Sequence, residues 1–273
     1  MTNRRTTAAV GVLVVGLLLA SVALPTIAAG KPANQLSVAH LPGEDSALGS
    51  PTGAAWSDVE TTQVPLTSAP SGLPNAQSTA TKAVDVKAAR TDSSLFVRLQ
   101  WSDDSKNTST DSPQAFADAV AMQVPADTTT HPGIALGSPG TPVNVWYWNA
   151  ANGAQDIVAG GPGSITQMDD DIATQAVYED GTWTVVLHRS LTSDVENHAS
   201  FTLDNDVDVA FAVWNGANAE RSGHHAVSAW FTYPFGPANT GPSYQYLLWA
   251  IVGIALVAAL YITVRAIRSS SRP

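Results

Sequence analysis

Cysteine is missing from all 273 residues of the chain. Its absence excludes disulfides, iron–sulfur clusters, c-type haem attachment, thiolate copper sites and cysteine nucleophiles together. A haem iron or other transition metal must then be held by His, Met, Lys, Tyr or carboxylate. Positive charge is also scarce: 13 Lys and Arg stand against 23 Asp and Glu, for a net charge of −10. All the acidic residues fall between Glu44 and Glu220, where Lys82, Lys87 and Lys106 are the only lysines. Such a surface repels nucleic acid and anionic lipid, so no nucleic-acid partner is expected. It suits a halophilic setting, where salt screens the mutual repulsion of carboxylates. Catalytic signatures are missing as well. No Ser-His-Asp order, HExxH, P-loop or dinucleotide glycine pattern stands in a suitable context. "GGPG" at 160–163 reads as a loop, and Asp169, Asp170 and Asp171 lack the alternating spacing of a calcium loop.

The two ends carry the apolar runs. Ala8–Leu24 follows Arg4 and Arg5 and leads to small residues at Ala28 and Ala29. Residues 1–29 are therefore expected to be an export signal, or an N-terminal anchor if uncleaved. Leu247–Val264 is free of charge for 18 residues, about the minimum for a membrane-spanning helix. Tyr244, Tyr246 and Trp249 precede or begin it, and Arg265, Arg268 and Arg272 follow. A transmembrane helix over 244–264 with a cytoplasmic basic tail, 265–273, places the rest of the chain on the extracellular side of the cell membrane.

Between these ends the pattern is that of an all-β protein. Residues 30–54 are expected to be a flexible linker, and 55–236 an antiparallel β-sandwich domain. Short runs with period-two alternation recur from Lys82: "AVDVKAAR", "SLFVRLQW", "DAVAMQVP", "PVNVWYWNA", "ATQAVYED", "TWTVVLHR", "VDVAFAVWN" and "AVSAWFTY". The Asp-Gly of "YEDGTW" marks a hairpin. Trp146, Trp148, Trp183, Trp214 and Trp230 lie on or beside strands, as core, as a stacking platform or as the wall of a flat cofactor. Of six histidines, His188 and His198 look structural; His131 sits in a loop before Pro132, and His224 and His225 open the last strand. Met122 shares an inward face with Val120 and Val124, which makes it core unless a haem needs its sulfur.

Five segments, in order, carry a family resemblance: "VKAARTDSSLFVRLQWSDD", "FADAVAMQVP", "ALGSPGTPVNVWYWNA", "AVYEDGTWTVVLHRSL" and "VAFAVWNGANAERSGHHAVSAWFT". Together they resemble the haem b-binding gamma subunits of ethylbenzene and dimethylsulfide dehydrogenases and of selenate and chlorate reductases. The resemblance implies a β-sandwich with one haem b, serving electron transfer rather than substrate chemistry. It implies iron–sulfur and molybdopterin subunits as partners, and a membrane cytochrome b or another redox carrier. In that family an axial methionine precedes the glycine matching Gly137, where this chain has Leu136. The family's axial lysine falls on His225, which keeps a nitrogen donor, and His224 should point the other way. For the opposite axial position His131 and Met122 compete, with His131 preferred because loops accept ligand migration more readily. Trp146, Trp148 and Trp230 are expected beside the cofactor, and Val120, Val124, Val209 and Phe211 as its apolar walls. The alternative is a haem-free, surface-anchored sandwich that binds carbohydrate or protein.

Overall fold

A computed structural model describes residues 34–73, 75–168 and 172–235, together with Tyr261, Val264 and Arg265. Its compact unit, Pro32–Ala238, is an all-β sandwich of two largely antiparallel sheets. The first sheet holds β1 (Val38–His40), β2 (Thr62–Pro65), β4 (Ala83–Arg90), β5 (Ser94–Ser102), β10 (Ala173–Glu179) and β11 (Thr182–Ser190). Its order is β1–β4–β5–β11–β10, and β2 pairs with β4 as well. The second holds β3 (Thr67–Ser68), β6 (Ala119–Pro125), β7 (Val143–Asn149), β8 (Gly153–Ala159) and β9 (Ile165–Gln167). It is completed by β12 (Val207–Trp214), β13 (Ala226–Val227) and β14 (Phe231–Tyr233). Here the order is β3–β13–β12–β6–β7–β8–β9, with β14 also on β12. Asp180 and Gly181 both take positive φ (48° and 71°), the hairpin geometry expected of Asp-Gly between β10 and β11.

Strand alternation decides what lies between the sheets. Val84, Val86, Leu95, Val97, Leu99, Trp101, Trp183, Val185 and Leu187 point inward from the first sheet. Val120, Met122, Val124, Trp146, Trp148, Val209, Phe211 and Val213 meet them from the second. Trp101, Trp148 and Trp183 pack together, with ring centroids 5.1–6.5 Å apart. A buried ion pair crosses the layer. Arg189 of β11 donates to Asp156 of β8 at 2.9 Å and to the side-chain Oδ1 of Asn144 in β7 at 3.0 Å, all buried. Removing one partner of such a buried pair costs about 3–5 kcal/mol, so this contact pins the sheets in register.

The N-terminal segment corrects the linker expectation. From Asn34 onward it is structured: β1 pairs in parallel with β4, from Val38↔Ala88 to His40↔Arg90. Helix α1 (Asp45–Gly49) and a 3-10 turn (Ala54–Asp58) then bring Leu48, Trp56 and Val59 over Ala89, Phe96 and Val186. Those few apolar residues, scattered among Pro, Gly and Ser, show no period of either regular element. Their partners are on strands far along the chain. Among the described residues no helix is long and apolar enough to cross a membrane. The signal expected at 1–29 lies outside the described residues, as does the segment 244–264 apart from Tyr261 and Val264.

Candidate functional site

His225 stands just before β13 and is placed by a left-handed turn. Ala219 and Ser222 take φ of 53° and 47°, which swings the Ser222 carbonyl back toward the strand. His225 Nδ1 bonds that carbonyl at 2.8 Å, and Trp214 Nε1 donates to the same oxygen at 3.2 Å. A carbonyl can only accept, so Nδ1 carries the proton and Nε2 of the neutral ring keeps its lone pair. Burial holds the imidazole below the ordinary histidine range, against the opposing pull of the Ser222 bond, and so favours that neutral form. The ring stacks on Trp214 with centroids 4.6 Å apart and planes 27° apart. His224 diverges from it, with Nε2 3.2 Å from the Ser78 carbonyl.

Register puts His225 on the outer face of the second sheet. Ala226 pairs with inward Val213 and Val227 with Ala212, so His225 shares the outward side of Val227 and Trp214. That face is apolar. Ala121, Val143, Val145 and Ala159 form a buried floor, with Leu136, Tyr147, Ile157, Ala212, Trp214 and Trp230 packed on it and partly exposed. Tyr147 meets Trp214 edge-on at 5.6 Å. Beside them a cleft of about 190 Å³ is lined by Phe116, Tyr147, Asn149, Trp214, Glu220 and Arg221, among others. It is smaller than the roughly 300 Å³ at which small-molecule sites begin.

The connection from β6 to β7 covers the far end of this face. Gln123 Nε2 holds the Ile134 carbonyl at 2.9 Å, and Gly161 N–H donates to the Leu136 carbonyl at 2.8 Å. Leu136 and Gly137 both take positive φ, 61° and 68°. A Cβ on Gly137 would stand 2.4 Å from the Thr141 carbonyl, so only glycine fits there. The bend presents the residue at 136 to the floor.

The sequence-selected residues divide between two faces. His225, Trp230 and Leu136 share the outer face with Trp214 and Tyr147. Met122, Trp146 and Trp148 are in the packed interior, as are Val120, Val124, Val209 and Phe211. Trp146 is fixed there by Asn144 (3.3 Å), by Phe201 edge-on at 5.7 Å and by the Arg189 guanidinium 5.2 Å from its ring. A group held by His225 has a whole sheet between it and Met122. His131 is on the correct side but in another place. Its ring is 87% exposed and Nδ1 bonds Asp208 at 2.8 Å. Asp208 and Trp214 are six residues apart on β12, about 20 Å at strand rise, so the structure does not bring His131 and His225 to opposite sides of one iron. The outer face thus fits a haem at one end, with an imidazole lone pair and an apolar bed. At its other end Leu136 has no donor atom and His131 is turned to Asp208. Tyr147 and the Ser222 carbonyl escaped the sequence reading, and Trp214 entered it only as one of five tryptophans that could wall a cofactor, although it stands out of phase with Val209, Phe211 and Val213. That phase was the available signal.

Comparison with known proteins bears on the same surface. The ethylbenzene dehydrogenase family model matches residues 53–171 and 159–226, which includes the β6–β7 connection and His225. A Haloferax mediterranei protein named as a respiratory nitrate reductase heme subunit is 43% identical over 269 residues, covering 98% of this chain and 97% of that one. Chlorate reductase subunit gamma of Ideonella dechloratans is 32% identical over 222 residues, covering 79% and 92%. Dimethylsulfide dehydrogenase subunit gamma of Rhodovulum sulfidophilum is 34% identical over 152 residues, covering 52% and 56%. By these matches the chain belongs to the ethylbenzene dehydrogenase family, alongside the gamma subunits of chlorate reductase and dimethylsulfide dehydrogenase.

Proposed function

We infer that this chain is the b-haem electron-transfer subunit of a respiratory molybdopterin oxidoreductase complex. The observation that carries the reading is His225: a neutral imidazole, oriented through Nδ1, with its Nε2 lone pair available on an apolar outer face. A bound haem b supplies one-electron chemistry between its ferric and ferrous states. The protein's part is to donate the Nε2 lone pair and to fix the ring plane through the Ser222 carbonyl, a bond that also raises the donor's basicity. Trp214, Tyr147 and Trp230 line the bed and limit water, which sets the potential. At the Leu136 end of the same face the side chain is aliphatic and would offer a bound haem no donor atom.

In this reading the iron–sulfur and molybdopterin subunits dock to the sandwich, and a membrane cytochrome b or another carrier exchanges electrons with it. The N-terminal run exports the chain and Leu247–Val264 anchors it, with the sandwich on the extracellular side. The acidic surface and the Haloferax relative's name favour nitrate as the partner enzyme's substrate. The test is spectroscopic. The full chain, produced with haem supplied and kept in detergent, should give a b-type α-band in reduced-minus-oxidised spectra. His225→Ala should abolish the band and His224→Ala should keep it. No band in the unaltered chain, together with glycan binding by that chain, would replace this reading by the haem-free binding module.

A further inference from the structure

A second cluster lies in the connection from β5 to β6, away from the His225 stack. The run Asp103-Asp104-Ser105-Lys106-Asn107 places oxygen-bearing side chains at alternate positions, and Asp118 returns to them from the start of β6. Asp103 Oδ1 accepts from Ser105 N–H at 3.0 Å and from Ser105 Oγ at 2.9 Å, and Ser105 Oγ stands 2.8 Å from Asn107 Oδ1. Asp118 is fully buried and accepts from Gly216 N–H, Asn107 N–H and Trp183 Nε1 at 2.7–3.0 Å. Asp103 is only 3% exposed, and its Oδ2 has no hydrogen-bond partner among the described residues. A buried carboxylate oxygen in that condition is expensive unless a cation or a proton meets it. Lys106 does not meet it: its ammonium sits 5.9 Å over the rings of Tyr178 and Trp183. Neither carboxylate has an ion-pair partner among the described residues.

We propose that Asp103, Ser105, Asn107 and Asp118 bind a hard divalent cation, Ca²⁺. The donor set is all oxygen, its two carboxylates balance the ion's charge, and a mixture of carboxylate, hydroxyl and amide oxygens suits calcium's variable coordination better than magnesium's octahedron. The alternative occupant is a proton, because burial and the neighbouring Asp103 charge push the Asp118 carboxyl up despite its N–H donors. The ion has a structural consequence that does not depend on haem. Asp118 holds Gly216, a Cβ on Gly216 would lie 2.7 Å from Asn107 Cβ, and Gly216 opens the turn that leads to Ser222 and His225. Calcium therefore steadies the segment that orients the His225 imidazole.

Terbium is the probe, since Trp183 is bonded to Asp118 and can sensitise its emission. The full chain, at constant high salt, should give saturable Tb³⁺ luminescence under tryptophan excitation. Calcium should displace it with a dissociation constant on the order of 10⁻⁴ M, and magnesium should not. Asp103→Asn and Ser105→Ala should each weaken calcium binding at least tenfold, whereas Asp104→Asn should not. Chelation should lower the melting temperature of the unaltered chain. Absence of both sensitised emission and a chelator effect overturns the proposal. So does emission that persists undiminished in Asp103→Asn and Ser105→Ala, which would locate the ion elsewhere. If Asp103→Asn melts higher than the unaltered chain and calcium shifts neither, the pair holds a proton and the proposal fails. Should Asp103→Asn not fold, Ser105→Ala and the displacement titration decide.

Discussion

The outer faces of the two sheets carry the same small device in two different settings. On the first sheet His188 stacks on Phe96, centroids 4.6 Å apart and planes 18° apart. On the second His225 stacks on Trp214 at the same centroid separation, with planes 27° apart. The first stack is roofed by the chain itself: a Cβ on Gly49 of α1 would lie 3.9 Å from His188 Nε2, and Leu48 and Trp56 complete the cover. Among the described residues the second has no such helix. Its neighbours Trp214, Trp230, Tyr147 and Ile157 are left partly exposed on a buried apolar floor. A histidine with an aromatic beneath it is therefore covered packing on one face and, in the function proposed above, a donor on the other. The cover, not the residue pair, makes the distinction.

The strongest way to break that comparison is to cut the cover. Trp56 is 3% exposed and bonds the Leu48 and Ser50 carbonyls, so Trp56→Ala should cost about 3–5 kcal/mol in denaturant unfolding. Haem content per folded molecule should stay unchanged. Trp214→Ala, from a partly exposed ring, should cost about 1 kcal/mol yet weaken haem retention severely. Equal stability losses, or haem lost in the Trp56 variant, would show that the faces do not differ as described. A finer test acts at the far end of the open face. Leu136→Met supplies a thioether where the bend presents a side chain, and should move the bound haem toward a six-coordinate low-spin spectrum with a raised midpoint potential. An unchanged spectrum would mean that position 136 does not face the iron.

The smallest effect is one that both faces share. Burial holds His188 and His225 below the ordinary histidine value of 6.5. As pH falls, the unfolded chain takes up those protons first. Each ring thus contributes stability at neutral pH that is lost progressively below about pH 6.5, toward its folded value. Unfolding midpoints measured at pH 7.5 and 5.5 should fall with acid, and the fall should shrink in His188→Gln and in His225→Gln. Midpoints that fall equally in all three proteins would remove these histidines from the acid response.

Much of the sandwich was legible because alternation is local. "SLFVRLQW" became β5, "TWTVVLHR" became β11 and "VDVAFAVWN" became β12, with the hairpin where Asp-Gly marked it. Strand β8 (Gly153–Ala159) was missed because "GAQDIVA" lacks alternation and buries Asp156 through Arg189, a partner 33 residues away. The site was harder for a related reason. That Met122 and Trp146 share a face follows from their pairing across β6 and β7, a register no single strand reveals. In sequence His131 is preferred as the second ligand because it lies in a loop, yet its ring bonds Asp208, 77 residues on, a partner the loop alone does not reveal. The parity of His224 and His225 needed only neighbouring residues, and the two rings do diverge.

One pairing at the sandwich edge bears on when this chain can fold. Thr232 donates its N–H to the Asn34 carbonyl and accepts from Leu36 N–H, at 2.8 and 2.9 Å. The first described residues are thus clasped to β14, almost 200 positions later in the sequence. Loop closure on that scale is slow and must await the last strand, so this edge can close only after nearly the whole chain has left the ribosome. Until then the polypeptide remains open at the seam between Asn34 and Thr232.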